Sequence, residues 1–204
     1  MRHHILIPTD FSDNAWSAAL YAIKLYANEP CTFYFSHAWT FLNSGSRTYI
    51  SPSYIEPLKE QSKAQLAELK DQAKMESTNS DHEFETIFSF GSLMETIEFA
   101  IKEHKIDLVV MGTKGATGAK KFLLGSNSVT VINKVRLCPL MLVPNNCEFE
   151  VPEQIAFPTD FNRFFGEELL PIKQLAALHD STINILHVNG KNDLSDTQNS
   201  NLGM

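Results

Sequence analysis

Two short stretches of this chain carry residues suited to holding an anion and a sugar. From Gly112 to Ser126 it reads GTKGATGAKKFLLGS, a glycine-rich loop with lysines. A bare backbone turn of this kind can aim several N–H groups at one phosphate, and a helix N-terminus beyond it adds a favourable dipole. No Asp or Glu occurs between Gly112 and Cys147, whereas Lys114, Lys120, Lys121, Lys134 and Arg136 all do. In a chain of net charge −7, that local absence of acid points to an anionic neighbour. The second stretch is Pro8, Thr9 and Asp10, whose carboxylate can accept hydrogen bonds from sugar hydroxyls. A carboxylate there can equally cap a local turn, and the lysines can be plain surface charges.

Both stretches need elements to present them. Ile5 to Ile7 is a continuous apolar run, as expected of a parallel strand covered on both faces. Ser12 or Asp13 then caps a helix with Ala15, Trp16, Ala19, Leu20, Ile23 and Ala27 at helical spacing. Thr32 to Ala38 is a second strand, and residues 40–53 form a loop long enough for a lid or binding edge. Glu56 to Met75 reads as a helix, and Phe84, Thr86, Phe88 and Phe90 alternate as a third strand. A helix starts at Gly91 and Ser92, a fourth strand spans Ile106 to Met111, and a helix runs from Ser126 to about Val135. Leu140 to Val143 is the fifth strand. Strands alternating with helices imply a parallel sheet with right-handed crossovers. Ligands of such sheets sit beyond the carboxyl ends of the strands, where strand order reverses. With the first and fourth strands adjacent, Asp10 and Gly112 face one cleft.

The spacing of Gly112, Gly115, Gly125 and Ser126, G-x2-G-x9-G-S, resembles that of the nucleotide-binding universal stress proteins. The opening ILIPTDFS and the later CPLMLVP are similar to that family as well, and the likeness covers about Arg2 to Pro144. The resemblance implies an α/β fold of the adenine nucleotide alpha hydrolase-like kind. Its five-stranded parallel sheet would run in the order 3-2-1-4-5, with helices on both faces. It also implies binding of ATP (or AMP or ADP) without a Walker loop, with Mg2+ held through the phosphates, and dimers. Carried over residue by residue, Pro8, Thr9 and Asp10 line the adenosine side, with Asp10 on the ribose. His37 and Ala38 approach the adenine. Gly112, Gly115, Gly125 and Ser126 hold ribose and phosphates, with Ser126 also the helix cap and Asn127 and Ser128 opening the helix. The family often has a small apolar residue where this chain has Asn127, which leaves ATP-versus-AMP preference open.

The chain also repeats itself at an offset of 150 residues. Asp160 falls on Asp10 within IAFPTDF, and His187 falls on His37 within TINILHV. Leu170, Leu175 and Ala177 fall on Leu20, Leu25 and Ala27. The repeat keeps only strand, helix and strand, which divides the chain into a complete domain, 1–146, and a partial second copy, 147–204. It has no glycine loop, so one nucleotide site per chain is expected. Three elements do not bury a full sheet alone, so homodimer or intramolecular pseudo-dimer packing is expected. The tail from Gly190 to Met204 reads as flexible. A histidine at the strand ends, His37 or His187, serves as an adenine contact, as a metal pair or, most simply, as a structural residue.

Composition narrows the class. A pI near 5.5 argues against a general nucleic-acid binder. Cys31, Cys138 and Cys147 form no C-x-x-C pair, as in a reducing compartment. No signal peptide and no span of about 20 apolar residues is visible, so no membrane association and a cytoplasmic location are expected. No zinc or paired-carboxylate spacing suggests hydrolysis. A nucleotide-binding regulator is therefore expected ahead of a slow ATP-hydrolysing enzyme or a pure interaction module.

Overall fold

Ile5, Leu6 and Ile7 are all fully buried, because the strand that carries them lies at the middle of the sheet. The computed structural model describes residues 1–40, 52–113, 124–145, 147–188 and 194–203. They form two compact units, Met1–Phe149 and Glu150–Met204. The first unit runs β1 (His3–Pro8), α1 (Asp13–Leu25), β2 (Cys31–Trp39), α2 (Pro52–Glu76) and β3 (Glu83–Phe90). It continues through α3 (Leu93–His104), β4 (Leu108–Gly112), α4 (Ser126–Lys134) and β5 (Leu140–Val143). The sheet order is β3-β2-β1-β4-β5 and every pairing is parallel. The order reverses between β1 and β4, as the expected switch point required.

Alternation along each strand sends side chains to opposite layers. Leu6, Val109 and Met111 join Ile97, Ala100 and Ile101 of α3 and Val131 of α4 in one cluster. Phe33 and Phe84 stack on the other face of β2 and β3, at 5.4 Å between centroids. There α1 contributes Ala15, Ala18, Ala19, Ala22 and Ile23, so small residues let it approach closely. Trp16 and Leu20, expected inward, are only half-buried. The helix expected from Glu56 starts earlier, at Pro52, a residue whose fixed φ suits the first helical position. The expected lid therefore ends sooner, and its residues 41–51 lie outside the described residues.

The start of α3 is a reciprocal capping box. Ser92 Oγ accepts the Glu95 N–H, and the Glu95 carboxylate accepts the Ser92 N–H and O–H, both at 2.8 Å. Those bonds hold the Glu95 carboxyl below its ordinary value. A depressed folded-state pKa gives stability that is present above the unfolded value and lost as pH falls through the folded one. Wild-type protein should therefore lose more of its urea midpoint between about pH 5 and about pH 3 than Glu95→Gln does. Equal losses would show that the box does not titrate.

The second unit contains β6 (Gln154–Pro158), a 3-10 turn (Glu167–Leu169), α5 (Leu170–His179), β7 (Thr182–Leu186) and α6 (Asp196–Leu202). Gln154 pairs with Thr182 as His4 pairs with Thr32, and the offset of 150 holds through the ladder. The tail expected to be flexible contains α6, started by a second capping box between Ser195 and Gln198. Its Gln198 and Asn201 amides donate to the carbonyls of Asp160 and Phe161, at 2.6 and 2.7 Å. A polar composition had hidden a helix that is held by side-chain amides rather than by apolar burial.

Candidate functional site

At the end of β1 the backbone makes a tight turn fixed by a backbone carbonyl, two hydroxyls and a carboxylate. Thr9 N–H donates to Ser36 O at 2.8 Å, and Thr9 Oγ1 accepts the Phe11 N–H at 3.0 Å. Phe11 is thereby held at φ 62, left-handed for a residue with a side chain. Asp10 Oδ1 accepts both the N–H and the O–H of Ser12, at 3.1 and 2.6 Å. Ser12 Oγ in turn accepts the Ala15 N–H and caps α1. The turn-capping reading of Asp10 is thus realised in the structure, and the same carboxylate stays solvent-exposed at the cleft. Of the two candidate caps for α1, Ser12 is the one used.

His37 lies beside this turn. Its Nδ1 is 2.8 Å from Thr9 O, and because a carbonyl only accepts, Nδ1 carries the proton. Phe11 packs on the ring at 4.5 Å between centroids. One ring nitrogen of His37 is therefore structural, as the plainer reading held.

Across the switch point, β4 ends at Gly112. Thr113 N–H donates to Val143 O at 3.0 Å, and Thr113 O accepts the Gly125 N–H at 2.7 Å. The buried Ser128 hydroxyl lies 3.2 Å from Gly112 O and 3.1 Å from Thr113 O. These bonds tie together the two ends of the glycine-rich segment. Its interior, Lys114 to Leu123 and so Gly115, Lys120 and Lys121, lies outside the described residues.

The helix cap differs from expectation by one residue. Gly125, with ψ 154, is the N-cap of α4, and Ser126 is the first helical residue. The first intrahelical bond runs from Val129 N–H to Gly125 O. The amides of Ser126, Asn127 and Ser128 therefore have no hydrogen-bond partner among the described residues, and no carboxylate occupies the first turn. Unfilled first-turn amides with the positive end of the helix dipole make an anion-binding end.

These pieces face one cavity of about 220 Å³. Pro8, Thr9, Asp10, His37 and Ala38 line one side, and Gly112, Gly125, Ser126, Asn127 and Ser128 the other. Apart from Gly115, all the residues expected at the site meet there. Ala15, Leu93 and Met111 complete the wall. The sequence reading placed Ala15 on the apolar face of a helix and Met111 at a strand end, and did not separate cavity lining from core.

The second unit repeats the β1-end turn. His187 Nδ1 is 2.8 Å from Thr159 O, and Phe161 N–H donates to Thr159 Oγ1 at 3.0 Å. Phe161 has φ 56, and Asp160 Oδ1 accepts the Asn162 N–H at 2.9 Å. The same turn thus recurs in a unit whose sequence has no glycine-rich loop.

Residues 1–144 match the family described as the universal stress protein family. Universal stress protein MJ0531 of Methanocaldococcus jannaschii is 34% identical over 145 residues, covering 68% of this chain and 80% of that protein. The structure of universal stress protein UspA from Lactobacillus plantarum superposes with a TM-score of 0.52 at 25% identity, covering 69% of this chain and 97% of that one. A universal stress protein from Archaeoglobus fulgidus matches with a TM-score of 0.73 at 19% identity, a likeness of fold. It covers 98% of this chain and 71% of that one.

Proposed function

Because this chain belongs to the universal stress protein family, we propose that its first unit binds an adenine nucleotide and acts as a nucleotide-dependent regulator in a stress response. The observation that carries this reading is the pairing across one cavity of the exposed Asp10 carboxylate with the first-turn amides of α4. An acceptor for ribose hydroxyls then stands opposite donors for phosphate. The apolar lining from Ala38, Leu93 and Met111 suits a base.

Mg2+ belongs to this reading as a companion of the phosphates. Among the described residues no three His, Cys, Asp or Glu side chains converge. In this reading the ion would be held by phosphate oxygens and water. Asp10 Oδ1 and His37 Nδ1 both hold the turn, and a binding role is proposed for this site ahead of turnover. The same reading gives one site per chain, a cytoplasmic location, and a homodimer or intramolecular pseudo-dimer.

Titration calorimetry with ATP, ADP and AMP should give saturable binding with one site per chain. Asp10→Ala should weaken ATP about tenfold, the loss of one or two hydrogen bonds to a charged acceptor. Absence of saturation at millimolar ATP would overturn the proposal.

A further inference from the structure

Gly112 is bare for a reason that phosphate does not supply. A Cβ built on it would lie 2.0 Å from Asn14 Nδ2, 2.8 Å from Asn14 Cγ and 2.9 Å from Asn14 O. Asn14 is only 6% exposed, although it sits in the first turn of a helix that starts at the surface. It follows the Ser12 cap by two residues, and Ser12 is bonded to Asp10. Gly112 O, in turn, lies within reach of the Ser128 hydroxyl on α4. Asp10 and Ser12 are thus joined through the first turn of α1 to Asn14, and Asn14 abuts Gly112, whose carbonyl meets Ser128 of α4.

We propose that Asn14 is a positioning residue that sets the distance between the adenosine half and the phosphate half of the site. It does so by filling the space that the missing Gly112 side chain leaves. The proposal rests on the nucleotide-binding reading above. The second unit supplies an internal control. At the position equivalent to Asn14 it has Phe164, which is 59% exposed. Helical structure there begins only at Glu167, and there is no glycine loop for the side chain to meet. The asparagine and the loop are absent together.

A double-mutant cycle tests this, read by thermal midpoint and by calorimetry with ATP and with adenosine. Asn14→Ala should weaken ATP about tenfold and adenosine less than about threefold, since only ATP needs both halves in register. Gly112→Ala should weaken ATP by more, about thirtyfold, by driving a methyl into the Asn14 amide. In the double variant the two contacts with the amide are gone and the one with Asn14 O, at 2.9 Å, remains, so part of the Gly112→Ala loss should be recovered. Additive losses, or equal losses for ATP and adenosine, would overturn the proposal while leaving nucleotide binding intact. If the wild type binds neither ligand, the nucleotide reading and this proposal fall together. If Gly112→Ala does not fold, the ATP-to-adenosine ratio of Asn14→Ala alone decides the matter.

Discussion

Ser128→Ala is expected to lower ATP affinity by about 10- to 100-fold in a unit that remains folded. Ser128 is 2% exposed, and its one hydroxyl proton is shared between the carbonyls of Gly112 and Thr113. Those carbonyls mark the point where the chain leaves β4 for the glycine-rich segment, and Ser128 stands in the first turn of α4, where it returns. Removing the hydroxyl leaves acceptors short of a donor at both ends of the closure. Such a loss costs about 1–3 kcal/mol, and about 1.4 kcal/mol is tenfold in affinity. Part of the cost should appear as stability, with about 1 kcal/mol corresponding to a fall of about 2–4 °C in Tm for a unit of this size. Thr130→Ala is the control, because among the described residues its hydroxyl bonds only to Ser126 O, one turn back along the same helix, at 2.9 Å. It should leave ATP affinity within about twofold. If Ser128→Ala binds ATP like the wild type, the loop does not depend on this closure.

Ser128 also marks the limit of what could be read from the sequence. The strand order, the facing of Asp10 and Gly112, and the offset of 150 that the β6-β7 register keeps were all legible. They depend on hydrophobic period and on spacing, which survive in one dimension. The role of Ser128 was not legible, because a serine in a first helical turn most often serves local capping. Only the fold reveals that it reaches back 16 residues to Gly112 O. Asn14 was hidden for a similar reason. Polar residues in a first turn normally face water, and its burial follows from the close approach of α1 to β4. The one-residue shift of the α4 cap from Ser126 to Gly125 shows the same limit, since both residue types serve as N-caps. In α6, two amide side chains found backbone carbonyls that no periodicity announces.

The largest stability effect is expected from Phe33→Ala, at about 3–5 kcal/mol. Phe33, the third residue of β2, is fully buried. Its ring lies between Phe84, at 5.4 Å, and the edge of His82, at 5.0 Å. His82 is itself fixed by Tyr26 O and Ser77 Oγ, at 3.0 and 2.7 Å, so the site has little freedom to collapse around a missing ring. Against a total of about 5–15 kcal/mol for a domain, the variant should be partly unfolded on mild warming. Both tryptophans, Trp16 and Trp39, lie in the first unit, so their fluorescence in urea reports this transition alone. The equivalent position in the second unit is Ile183, which is 40% exposed. Ile183→Ala should cost no more than about 1 kcal/mol, read by hydrogen exchange of the β7 amides. The two residues share a place in the ladder and differ in what covers them. The face of β2 that Phe33 shares with Phe35 is layered by the long α2. Among the described residues, the second unit offers only the shorter α5 and α6 to do the same. A cost at Ile183 approaching that at Phe33 would mean that β7 is covered in solution by more than α5 and α6. A small cost would leave its apolar face to water.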